Sequence, residues 1–294
     1  MKPLRFVGRD EPLTAEQGLF VLPSMLAIAR REFKGRQLFG ADLLKIAPET
    51  QTFSYDVLTE VSDARIDSRY PGAETLDIIN VGRTPVNIPN LHKEAVILKA
   101  DLDSARMSGA PLDTTTIDSM TYKVGYLEDK MLLIGTAITD GVAIKGLYNQ
   151  AVASGNKDDT DYDWATPADI ITSINALIVL MQADHILGPY DLTIGTESDG
   201  YLSVSYGTGG MTYLDWVLKR IGGRIFLTEA MAIGTALLSK PGIGAFKYVI
   251  AEDLGVKTEL QSIREGEGLF AKVYVRGLPV VFDANALGAL TDIS

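Results

Sequence analysis

Asp158, Asp159, Asp161 and Asp163 form the densest group of potential metal ligands in the 294-residue chain. Oxygen ligands at alternating positions suit Ca²⁺. Counting Asp159 as the first position of a calcium loop, however, puts Trp164 where the turn needs glycine and Ile170 where a glutamate should close the site. The cluster therefore reads as a solvated loop. Gly207, Gly209 and Gly210 precede a helical pattern, as phosphate loops do, but neither G-x-x-x-x-G-K-[ST] nor G-x-G-x-x-G is present and no lysine adjoins them. His92 and His185 are the only histidines, which excludes a three-histidine metal centre, and a Ser-His-Asp triad lacks its G-x-S-x-G signature. His185 ends a helical pattern before Gly188, a position that suits a capping or helix-dipole role. The absence of cysteine excludes disulfides, thiolate metal sites and a cysteine nucleophile, and fits a reducing compartment. No catalytic, cofactor or metal site is expected, and the chain reads as a non-enzyme.

The elements that would position functional residues are those of an α+β protein. Twenty-seven basic residues against 38 acidic ones give a net charge of −11, which argues against a surface built to neutralise nucleic-acid phosphates. No run of about 18 apolar residues and no apolar stretch behind the first basic residues is present, so neither a membrane span nor a secretory signal is expected. A helix is predicted from near Pro23 with Gly35 as its stop. It carries Arg30, Arg31, Lys34 and Arg36 as a solvated face or as a contact to a polyanion or neighbouring subunit. Alternation from Thr52 and the later run "EAVILKADL" predict two strands, joined by an excursion of roughly thirty residues, too long for an ordinary loop in a compact domain.

A long helix follows, with Asp113 as N-cap and an apolar stripe of Ile117, Met120, Val124, Leu127, Met131 and Ile134 at spacings of 3, 4, 3, 4 and 3. Glu128, Asp129 and Lys130 fall off that stripe and read as its wet face. Thr166, Pro167 and Asp169 start a further helix whose apolar face is Ile170, Ile174, Leu177, Ile178 and Met181. The remainder alternates short strands with a helix ended by Gly222 and Gly223.

The ordered segments "ARMSGAPLDTTTIDSMTYKVGYLEDKMLLIG" (105–135), "GVAIKGLYN" (141–149), "WATPADIITSINALI" (164–178) and the closing "FAKVYVRGLPVVFDANAL" resemble major capsid proteins of tailed phages with the HK97 fold, particularly the encapsulin-like group. The resemblance implies an N-terminal arm and helix (1–40), and a peripheral domain (41–163) holding an E-loop hairpin at about 52–92 and a spine helix at about 113–137. It further implies an axial domain (164–255) and return strands of the peripheral domain (256–294). On this reading copies of the chain form pentamers and hexamers of an icosahedral shell around double-stranded DNA held without sequence specificity. Portal, scaffold, protease and cement proteins are the further partners, with assembly in a host cytoplasm into a virion and no membrane.

Arg30 and Arg31 of the arm, and Asp63, Arg65, Asp67 and Arg69 of the E-loop, would lie between subunits. Residues 46–92 contain no lysine, so the lysine–asparagine link of some family members is not expected in its usual place. The alternative is an encapsulin-type compartment around enzymes, to which "LAIARREFKGRQLF" bears a loose likeness.

Overall fold

The computed structural model describes residues 33–58, 81–98, 115–137, 143–206, 210–232, 234–263 and 266–293. A short helix α1 (Gly35–Phe39) leads into β1 (Leu43–Lys45). Gly35 thus opens a helix that it was expected to end. The hairpin arms β2 (Thr52–Leu58) and β3 (Val81–Asn87) pair antiparallel from Thr52↔Asn87 to Leu58↔Val81. After Ile88 and Pro89 the chain enters β4 (Asn90–Leu98).

The long helix α2 spans Thr115–Leu133, inside the expected 113–137, and Gly135 opens β5 (Gly135–Ala137), which pairs with β6 (Ala143–Lys145). Asp113 lies outside the described residues. Helix α3 (Leu147–Ser154), β7 (Lys157–Asp158) and α4 (Pro167–Ala183) follow. The predicted apolar face of α4 is buried from Ile170 to Met181, and Pro167 occupies its first turn.

Strand β8 (Tyr190–Gly195), α5 (Asp199–Leu202), β9 (Ser205–Tyr206), β10 (Met211–Thr212) and α6 (Tyr213–Ile221) come next. Thr212 and Asp215 form a reciprocal capping box at the start of α6. Then come β11 (Gly222–Thr228), β12 (Ala236–Ser239), β13 (Phe246–Ile263), β14 (Gly266–Val281) and β15 (Leu287–Leu290).

Two sheets organise two hydrophobic cores. The four-stranded sheet has the order β1-β13-β14-β4, and α2 packs on it through Ile117, Met120, Val124 and Met131 against Ala271, Val273 and Val275. Each such fully buried side chain contributes about 1.5–3 kcal/mol. The five-stranded sheet has the order β11-β8-β12-β15-β7, and its core gathers Trp164, Ile174, Leu177, Leu192, Val217 and Leu238. β15 belongs to this second sheet, although residues 256–294 were expected to return together to the first. The four residues of β15 complete the backbone pairing of β12 and β7, an edge that local pattern does not specify.

The end of α4 fits the capping expectation for His185. The Ile186 N–H donates to Met181 and the His185 N–H to Gln182, while His185 takes φ 61°. This is a Schellman-type stop with histidine where glycine is the usual residue. His185→Gly should therefore raise unfolding stability by roughly 0.5–1 kcal/mol, the left-handed strain relieved less the extra freedom of the unfolded chain. A urea melt checks it, and an unchanged or lower midpoint would contradict the strain.

Candidate functional site

The stripe and the wet face predicted for α2 are only half right. Ile117, Met120, Val124 and Met131 are buried, while Leu127 and Ile134 sit half-buried at the rim. Leu132 and Leu133, off the stripe, are fully buried. Glu128 and Asp129 are 6% and 3% exposed, and of the charged trio only Lys130 faces solvent. The wet-face reading of Glu128 and Asp129 is therefore corrected. The helix is covered on a second side by residues 33–36, whose contacts with it span more than ninety residues of sequence.

Three features of one helix face receive that segment. The ring of Phe33 lies against Gly125, where any Cβ would collide with it, which accounts for a glycine inside a helix at a cost of about 1 kcal/mol. One turn on, the Asp129 carboxylate accepts the N–H of Gly35 at 2.5 Å, the N–H of Lys34 at 3.4 Å and a hydrogen bond from the Thr228 hydroxyl at 2.9 Å. A Cβ on residue 35 would stand 2.5 Å from the carboxylate oxygen, so glycine is what allows this approach.

Glu128 Oε1 accepts Arg36 Nε at 2.8 Å and the Tyr248 hydroxyl at 2.5 Å. Arg36 Nη1 also donates to Asp253 at 2.6 Å, with the guanidinium 5.9 Å from the Tyr248 ring centroid. The cationic face expected for Arg30, Arg31, Lys34 and Arg36 is thus corrected at Arg36, which is a half-buried ion-pair partner of Glu128 and Asp253.

The electrostatics follow from burial. Desolvation works against the Arg36 charge, but Glu128, Tyr248 and Asp253 outweigh it and raise its pKa. Burial raises the Tyr248 hydroxyl well above its ordinary range, and Glu128 adds to the rise. Burial also raises Asp129, against the opposing hydrogen bonds from Thr228, Gly35 and Lys34. At Asp253 burial is outweighed by Arg36 and the carboxyl is lowered.

Beside Asp129 lies a cavity of about 430 Å³, bounded among others by Phe33, Lys34, Tyr126, Thr228 and Glu229, with Tyr122 donating to Glu229.

The acidic loop carries structural hydrogen bonds. Asp158 accepts from the Tyr162 hydroxyl and the Thr160 N–H, Asp159 pairs with Lys157, and Asp163 accepts from Ala165 and Thr166. Among the described residues no three carboxylate or histidine groups are placed to share a metal ion. Gly210 is described but Gly207 and Gly209 are not. Arg30, Arg31, Asp63, Arg65, Asp67 and Arg69 lie outside the described residues.

The residues missed from sequence are Glu128, Asp129, Arg36, Tyr248 and Asp253. The available signal was the pair of glycines, Gly35 and Gly125, which local structure does not need.

A four-stranded sheet backed by a long helix, a second α/β unit and the β2–β3 hairpin define the HK97 class of shell-forming proteins. Structures of that class superpose over nearly the whole chain. The virus-like particle from Pyrococcus furiosus gives a TM-score of 0.66 at 14% identity, covering 94% of this chain and 98% of that one. The capsid of Myoviridae phage XM1 gives 0.66 at 13% identity, covering 88% and 92%.

Residues 42–260 match the family described as encapsulating protein for peroxidase, and the chain belongs to that family. The type 1 encapsulin shell protein EncA of Myxococcus xanthus (strain DK1622) is 23% identical over 251 residues, 85% of this chain and 84% of the relative. Among the described residues no helix is long and apolar enough to cross a membrane.

Proposed function

We propose that the chain is the non-enzymatic subunit of a closed encapsulin-type shell whose content is protein. The observation that carries this reading is the family relationship in sequence, which extends across both cores, whereas the phage capsids are similar in fold at 13% identity. The alternative reading, a phage head around double-stranded DNA, draws support from the superposition on the phage XM1 capsid at a TM-score equal to that of the virus-like particle. Particles purified from the native source separate the two. Protein cargo without nucleic acid supports the compartment, and nuclease-protected double-stranded DNA of uniform length overturns it in favour of the phage head.

Within such a shell the unit around the first core, which takes in β13 from Phe246 onward and so shortens the expected 164–255 span, serves as peripheral domain, and that around the second, from about residue 164 to 245 with β7 and β15 added, as axial domain. The hairpin β2–β3, whose Phe53, Tyr55 and Val86 pack against the first core of its own subunit, acts as the E-loop reaching an adjacent copy. Asp63, Arg65, Asp67 and Arg69, with Arg30 and Arg31 of the arm, set the register of those contacts more than they add affinity. Many weak heterologous contacts then close into one lattice. Assembly takes place in the cytoplasm and needs no lysine–asparagine cross-link from the E-loop. A denaturing gel of purified particles should show single-chain bands, and a ladder of linked subunits would contradict this.

A further inference from the structure

Helix α4 is apolar on more than its buried face. From Pro167 to Ala183 only Asp169 is charged, and the side away from the core carries Ala176, Val179 and Ala183, with Val179 61% exposed. A surface helix ordinarily shows water a polar side. Leu180 is half-buried and belongs to neither core. On α6 the same is true of Leu218, and beside it an open groove of about 510 Å³ is lined by Met211, Asp215, Leu218 and Lys219.

The ridge and the groove lie on opposite flanks of one helical layer. Helix α4 packs on β15, with Leu177 and Met181 against Gly288, and α6 leads into β11 at the other end of the five-stranded sheet. Between the two helices Arg220 donates to Asn175 at 2.8 Å. At 3.6 residues per turn, Leu218 stands on the side of α6 turned from that contact, and Ala176 and Leu180 on the side of α4 turned from it. Charge follows the same division. Lys219 Nζ approaches Met211 Sδ at 3.2 Å, while Asp215, one turn earlier, is already engaged by the N–H and hydroxyl of Thr212. Asp184 ends α4, where the helix dipole disfavours a carboxylate and favours a cation. Among the described residues no lysine or arginine pairs with it. Because α4 leads towards β8 and α6 into β11, and these strands are parallel, Asp184 and Lys219 lie at the same end of the layer. A ridge on one flank and a groove on the other, with opposite charges at one end, let identical subunits join head to tail.

We propose that α4 of one copy seats Val179 and Leu180 in the α6 groove of the next, against Leu218 and Met211, with Asp184 meeting Lys219. The inference rests on the shell reading and names the faces by which the second units join. Apolar burial supplies the attraction, and the charge pair fixes the register.

The chain contains no cysteine, so a pair can be introduced without background. Particles of Leu180→Cys/Leu218→Cys treated with a flexible bis-maleimide should give a ladder of linked chains on a denaturing gel, and neither single variant should. In the cysteine-free chain, Asp184→Lys should raise the concentration for half-assembly about tenfold as like charges meet, and adding Lys219→Asp should return it to within about twofold of wild type. Intact particles of the double-cysteine variant that yield only single chains overturn the contact and leave the shell reading standing. A second charge reversal that deepens the defect of the first overturns it equally. Should the cysteine variant fail to assemble, the charge pair decides. A folded wild-type chain that forms no particles removes the shell reading and this contact with it.

Discussion

Glu128→Ala is expected to destabilise the subunit, with about 3–5 kcal/mol, the cost of removing one partner from a fully buried ion pair, as the upper limit because the Arg36 side chain keeps 30% of its surface in solvent. The substitution leaves the Arg36 guanidinium and the Tyr248 hydroxyl facing a void, with Asp253 alone to balance a cation that Glu128 now holds at 2.8 Å. The magnitude comes from the stranded groups, since an intact buried pair itself adds little over apolar packing. Glu128→Gln should lose less, because its amide oxygen still accepts from Tyr248. Lys130→Ala, at the exposed neighbour, should change stability by no more than about 0.5 kcal/mol. Urea unfolding of unassembled subunits at fixed concentration measures all three. Near-equal midpoints for Glu128→Ala and Lys130→Ala would return Glu128 to the solvated face and overturn the packing described for α2.

Trp164→Ala should cost about 3–5 kcal/mol, at the upper end for core truncations. Trp164 is 1% exposed and among the largest fully buried side chains, and its indole N–H donates to Ser173 Oγ at 3.1 Å. The substitution opens a cavity between the loop that carries Trp164 and the buried face of α4, and it removes the donor to Ser173. Because Trp164 lies in the second core and Glu128 borders the first, the double variant should be additive within about 0.5 kcal/mol. Trp164→Phe keeps most of the volume and should recover more than half of the loss. A Trp164→Ala midpoint within about 1 kcal/mol of wild type would mean that the loop closes over the space.

Much of the fold was legible because its elements are amphipathic over enough residues to declare a period. The five apolar residues of the buried face of α4 were all named, though not Ser173 among them, and Pro167 marked its start. Of the hairpin, the arm β2 followed from alternation, whereas β3 lies in the stretch read as a turn-rich excursion, and the second expected strand is β4, which pairs with β14. What was not legible depended on contacts distant in sequence. A second cover on α2 comes from residues more than ninety positions earlier, so the charged trio that looks solvated by period is two-thirds internal. Arg36 in a basic cluster gives no local sign that Glu128 and Asp253 await it. Likewise "LGAL" is too short and uniform to say which sheet it joins. The two glycines at 35 and 125 were the readable trace of that hidden packing, since each is required by a neighbour and not by its own turn.

The proposed function requires copies of this chain to close a shell with one another. Electron microscopy of the purified, recombinantly expressed chain tests it most directly. Closed, uniform, hollow icosahedral particles are the predicted result. Monodisperse small species across a range of protein concentration and ionic strength, from a chain shown to be folded, would contradict it.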